Sequence, residues 1–133
     1  MSIDDLNVEA IKALPDDEPV VMVNLVRLKE KAGSGNGSGW DAYLRYSAKT
    51  APMIKARGGT ILWSGKAEAV SLGNPDENQW DFIVLVRYPS RAAFLDMTTS
   101  EAYENEANPD RIDGVEEHVI VATRETYSKF KVA

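Results

Sequence analysis

His118 is the only histidine of the 133-residue chain, and hence the only side chain with an ordinary pKa close to neutrality. One imidazole can supply one general base and cannot build a multi-histidine metal centre. Glu116 and Glu117 precede it, which raises a carboxylate-and-imidazole metal site. Neighbours on a strand point to opposite faces, however, and structural metals take three or four protein ligands. The pattern therefore reads His118 as a surface residue, and no metal site is expected. Cysteine is absent, so disulfides, thiolate ligands and a Cys nucleophile are excluded. No serine stands in a G-x-S-x-G context. Residues 33–39, GSGNGSG, lack the Lys-Ser/Thr that completes a P-loop. No bound cofactor is expected.

What remains is a set of polar and aromatic residues within apolar segments: Asn24, Tyr46, Trp63, Arg87 and Tyr88, with Arg111 in a later polar stretch. These types suit a pocket with apolar walls and a few directed hydrogen-bonding groups. An arginine would attract a carboxylate or phenolate, and the aromatics would pack on an apolar body. Each also has an architectural use. Asn24 suits a bulge, Tyr46 and Trp63 suit a core or an interface, Arg87 suits a salt bridge between subunits, and Arg111 suits a solvated loop.

The elements that must position these residues follow from periodicity. Val8, Ile11 and Leu14 behind Asn7 predict a short leading helix that Pro15 ends. Residues 19–29, PVVMVNLVRLK, predict a strand apolar on both faces. GSGNGSG reads as a flexible connector, or as a mobile lid. Ser38 and Asp41 form a capping box for a helix over 40–57, with an apolar stripe of Trp40, Tyr43, Leu44, Ala48, Ala51 and Ile54. Pro52 is expected to bend it, and Gly58–Gly59 to stop it. A second strand is expected over 60–72, with Gly65 a candidate bulge, and a hairpin through GNPDEN to a third over 80–88. A second helix begins after Ser90, is interrupted near residues 98–100 and regains a turn at Tyr103. NPDRIDG reads as a loop, and 118–127 as the last strand. On the third strand Arg87 alternates with Ile83 and Leu85, and Tyr88 with Phe82, Val84 and Val86, so only one of Arg87 and Tyr88 can face the helices.

This order is βαββαβ, an α+β ferredoxin-like fold in which a four-stranded antiparallel sheet carries its helices on one face. The length fits one domain over 1–133, divided into a helical extension (1–18), a core (19–127) and a tail (128–133). Apolar residues at 44% and charged residues at 27% are ordinary for a globular chain. A net charge of -6 argues against nucleic acid and anionic membranes as partners. The acidic start, MSIDDLNVEAIKAL, is unlike a signal peptide, and cytoplasmic residence is the default expectation. Because the central strands are apolar on both sides, the helix-free face needs a cover, and a second copy is the simplest one.

The segments PVVMVNLVRLKEKA, DAYLRYSAKTAPMIKARGGTILWSGKAEAVSLGN and WDFIVLVRYPSRAAFLDMTTSEAY together resemble the bacterial family known as domain of unknown function 1330. The likeness spans most of residues 19–125 and is sharpest at Gly58-Gly59 with Trp63, and from Trp80-Asp81 to Tyr88-Pro89-Ser90. It implies a dimeric α+β barrel. Similar chains often carry histidine shortly before the arginine that follows the Tyr103 position, where this chain reads Asn108-Pro109-Asp110-Arg111. Two functions are consistent with this reading: a homodimer that binds a small organic ligand between sheet and helices, or, by fold analogy, a cofactor-independent monooxygenase- or isomerase-like enzyme acting on a small aromatic or acidic substrate.

Overall fold

The computed structural model describes residues 6–130, so the outermost parts of the expected extension and tail lie outside the described residues. The elements in chain order are α1 (Val8–Lys12), β1 (Val20–Leu28), α2 (Gly39–Ala56), β2 (Thr60–Lys66), β3 (Phe82–Tyr88), α3 (Arg91–Thr98), α4 (Asn108–Gly114) and β4 (Val115–Thr123). A single π turn, Tyr103–Ala107, runs directly into α4. The strands form one antiparallel sheet in the order β2-β3-β1-β4. This is the expected α+β ferredoxin-like arrangement.

α2 begins where its cap dictates. The Ser38 side chain accepts from the Asp41 amide, and the Asp41 carboxylate accepts from the Ser38 amide. The face it buries is Ala42, Tyr43, Thr50 and Ile54, with Tyr46 and Met53 partly buried. Of the stripe expected from hydropathy, Tyr43 and Ile54 are buried, whereas Trp40, Leu44, Ala48 and Ala51 are exposed and Thr50 is buried in their place. The helix continues through Pro52. α3 is capped by Ser90, whose hydroxyl accepts from the Ala93 amide. By contrast, Asn7 makes no side-chain cap bond to α1.

Four segments depart from the sequence expectation. β2 stops at Lys66, and Pro75–Glu77 forms a 3-10 turn in the long exposed connection to β3. The register irregularity in β2 falls between Ile61 and Trp63 rather than at Gly65. NPDRIDG is the helix α4, with Pro109 in its first turn, where a missing amide costs nothing. β4 consequently starts at Val115 and ends at Thr123. The GSGNGSG loop is also tied down. Ser34 donates from its amide and its hydroxyl to the two carboxylate oxygens of Asp113, at 2.6 and 2.9 Å. Those bonds hold the Asp113 carboxyl below its usual pKa, and the loop covers neither interior cavity.

Alternation divides the sheet into two surfaces. Val20, Met22, Asn24 and Val26 of β1, with Phe82, Val84, Val86 and Tyr88 of β3, face the helices and form the main core with Ile54, Phe94 and Met97. The other surface carries Val23, Leu25, Ile83, Leu85, Val119 and Val121, and no described helix packs on it. Val121 is 48% exposed there.

One junction sets how closely α2 approaches the sheet. Lys29 donates its amide to the Gly114 carbonyl at 2.9 Å, and Gly39 donates to the Lys29 carbonyl at 3.1 Å. A Cβ on Gly114 would lie 2.5 Å from the Gly39 carbonyl oxygen and 2.8 Å from the Ala42 Cβ, both far inside contact distance. Gly114→Ala is therefore expected to destabilise the fold by about 3 kcal/mol, the scale of overpacking a close contact. Urea unfolding midpoints measure it, and an unchanged midpoint would show that the junction can open freely.

Candidate functional site

Between the helix-facing side of the sheet and the helices lies a chain of polar side chains reaching from α4 to β1. Arg111 is 6% exposed on α4, and its Nε donates to the Asn108 Oδ1 at 2.8 Å, one turn earlier on the same helix. Its Nη1 lies 3.2 Å from the His118 Nδ1 on β4. A guanidinium is always a donor, so Nδ1 must accept, and the ring proton then sits on Nε2. The His118 Nε2 lies 2.9 Å from the Asn24 Oδ1 and donates to it. Asn24 in turn donates from Nδ2 to the Met22 and Val84 carbonyls at 3.2 and 3.4 Å, which fixes its amide orientation. Burial first, and then the charge of Arg111, push the His118 pKa from its ordinary 6.5 to about 3. This imidazole is neutral at physiological pH, with its Nδ1 lone pair engaged by a cation, and it is no general base.

The chain continues into a pair of phenols. The Tyr103 hydroxyl is 2.8 Å from that of Tyr46, and the rings meet edge to face with centroids 6.1 Å apart. Burial raises the pKa of both. At Tyr103 the effect is opposed by the positive charge of the nearby Arg111 guanidinium. Asn108, Arg111, His118, Asn24, Tyr103 and Tyr46 thus form one connected set with a single net positive charge.

Two cavities flank this set. The first, about 430 Å³, lies beneath α1 and reaches Arg111, His118 and Tyr103 past Ile11, Leu14 and Met22. The second, about 400 Å³, is walled by Trp40, Tyr43, Tyr46, Phe82 and Tyr88, with Asn24 in its floor. Phe94, Thr98, Tyr103 and Ile120 line both, so the cavities share a wall.

Asn24, Tyr46, Tyr88 and Arg111, named from sequence, border these cavities. Trp63 and Arg87 do not. They stand opposite Leu85 and Val21 on the helix-free face, where Trp63 is 46% exposed and its ring lies over Gly65. Arg111 is a buried helical residue rather than a loop residue. His118, expected at the surface, is buried because it alternates with Ile120 and Ala122 on the face against which the helices pack. Glu117 points the other way and lies 4.0 Å from Arg27. Tyr103, Asn108 and Thr98 were not singled out by sequence. Alternation back from Ile120 to His118 was the available signal for the histidine, whereas nothing local marked Asn108. Among the described residues, no three His, Asp or Glu side chains gather in a way that could hold a metal ion.

Sheet order, one-sided helices and interior cavities define an α+β protein of ferredoxin-like fold. The chain belongs to the family Domain of unknown function (DUF1330), whose profile matches residues 39–124. It is similar over 96% of its length, at 30% identity and a TM-score of 0.82, to the RPA0582 protein of Rhodopseudomonas palustris, described as a protein of unknown function and covered over 98% of its own chain. A dabb family protein with a ferredoxin-like fold from Mesorhizobium loti matches at 12% identity and a TM-score of 0.51, covering 82% of this chain and 98% of that one. A putative antibiotic biosynthesis monooxygenase from Bacteroides thetaiotaomicron matches at 12% identity and a TM-score of 0.53, covering 87% and 97%. These two show the fold alone. No curated protein matches the chain. Among the described residues, no helix is long and apolar enough to cross a membrane.

The depressed His118 pKa ties stability to pH. Unfolded, the ring takes a proton near 6.5; folded, it resists until about 3. Its contribution is complete above pH 6.5 and is lost as pH falls from there toward 3, by an amount on the order of a few kcal/mol. His118→Gln should be less stable than the parent at pH 7 and lose less between pH 6.5 and 4. Denaturant unfolding across that range measures both slopes, and parallel curves would disprove the assignment of a neutral buried imidazole.

Proposed function

We propose that this protein is a homodimer that binds a small organic ligand between its sheet and its helices. The observation that carries the binding reading is the connected polar set of Arg111, His118, Asn24, Tyr103 and Tyr46, held inside apolar walls beside cavities of about 430 and 400 Å³. Spaces of that size with few directed polar groups are what small-molecule sites require. Binding is favoured over base-catalysed turnover because the chain's one histidine has its Nδ1 lone pair engaged by Arg111 and its Nε2 proton directed at Asn24. The likeness to a monooxygenase carries no chemistry to this chain at 12% identity.

The neutral aromatic probe 2-naphthol tests this reading. Trp40 lines the second cavity and Phe94 both, so binding should change tryptophan emission saturably and raise the melting temperature. A linear, non-saturating response up to the solubility limit, with no thermal shift, would exclude a ligand cavity.

Support for the dimer is the helix-free face, where Trp63, Val119 and Val121 are exposed beside Leu25, Ile83 and Leu85. An apolar surface of this kind is costly to hydrate, and a second copy related by a two-fold axis would cover it. Light scattering should give twice the chain mass of 14.7 kDa at micromolar concentration, and Val121→Lys should shift it to monomer with far-UV circular dichroism preserved. A wild-type monomer at every dilution would remove the proposal.

A further inference from the structure

We propose that the cavity beneath α1 takes an organic carboxylate, with its head on the Arg111 guanidinium and its apolar body against Ile11, Met22 and Phe94. This deepens the binding reading above and rests on it. The central fact is a buried positive charge whose hydrogen-bond partners, Asn108 and His118, are both neutral, as is the Tyr103 phenol beside it. Taking a guanidinium out of water without a counter-charge is costly, and proteins ordinarily supply a carboxylate. Here the ion pairs among the described residues engage Arg27, Arg45, Lys49, Arg57, Arg91 and Arg124, and none engages Arg111. The acids nearest in sequence are committed elsewhere. Asp110 pairs with Arg45 and Lys49, and Asp113 with Arg45 and Ser34, on the outer side of α4.

The neutral partners also aim the head group. Asn108 holds Nε and His118 holds Nη1, so the plane of the guanidinium is fixed from two sides. Arginine has five N–H donors, and these contacts engage only some of them, leaving the fork able to donate to a planar two-oxygen acceptor. The space in front of it is a cavity of about 430 Å³ whose walls are mostly apolar, which matches a body lacking further charge. His118 cannot compete as a second cation, because its Nδ1 already accepts from Arg111.

Calorimetric titration of the full chain at pH 7 with 2-naphthoate and with 2-naphthol tests the assignment, since the two share a body and differ in head charge. The wild type should bind 2-naphthoate about 10-fold or more tightly than 2-naphthol, the scale of a charge-assisted bidentate contact. Arg111→Met should abolish that preference while retaining 2-naphthol, and Arg111→Lys should keep part of it. Ala10, exposed on α1 and lining the cavity, can be changed without touching the polar set; Ala10→Trp should block 2-naphthoate even if the Arg111 variants do not fold. Equal affinities in the wild type, or undiminished 2-naphthoate binding in Ala10→Trp, would overturn the carboxylate site and leave the cavity reading standing. Binding of neither probe would instead defeat the cavity reading itself.

Discussion

The Arg111 guanidinium governs the interior. It bridges α4 to β4 through His118, and His118 passes the constraint to β1 through Asn24. The continuous α4–β4 segment and the distant β1 are thereby locked in rotation as well as position, since each hydrogen bond specifies which atom faces inward. A purely apolar core of equal volume would allow each strand residue more rotamers; a directed chain of donors allows one. The cost of the arrangement is a desolvated charge, and its presence helps to keep the imidazole neutral and works against the rise that burial imposes on the Tyr103 pKa. The orientation of Asn108, His118 and Asn24 descends from that one cation.

The sheet then separates two kinds of chemistry by alternation alone. On β3, Tyr88 and Val86 enter the core while Arg87 and Leu85 face away, and β1 and β4 follow the same rule. The two surfaces are therefore independent in composition: one lines the cavities, and the other faces away from the helices. Close approach at Gly39 and Gly114 draws α2 against the first surface, and the core packs around Tyr43 and Ile54. Nothing comparable draws an element of the described chain over the second.

Much of the frame was legible in the residues. Strand order, the Ser38–Asp41 cap and the choice between Arg87 and Tyr88 all follow from rules local to a few positions, and the structure agrees with the first two and resolves the third in favour of Tyr88. The site was only partly legible. Asn24, Tyr46, Tyr88 and Arg111 stood out as polar or aromatic residues in unusual settings, and Trp63 and Arg87 stood out for the same reason yet face the other way. Asn108 was hidden because its role depends on α4, which starts from a π turn and a proline in a stretch whose Asn, Pro, Asp and Gly content reads as loop. Once that stretch is helical, Arg111 and Asn108 come inside beside the histidine, which alternation with Ile120 had already placed on the inner face. Tertiary continuation of a preceding turn overrode local propensity.

The wall between the cavities is one side chain thick. Phe94, Thr98, Tyr103 and Ile120 each present one side to each space, so these positions act as a partition rather than as packing alone. Shortening one of them would join the two chambers into a single longer one without moving the sheet, the caps or the cation; enlarging Thr98 would shrink both at once. Within a shared frame, the volume of these spaces can thus change through one codon, while the buried positive charge beside them stays with Arg111. Volume and charge are set by different residues.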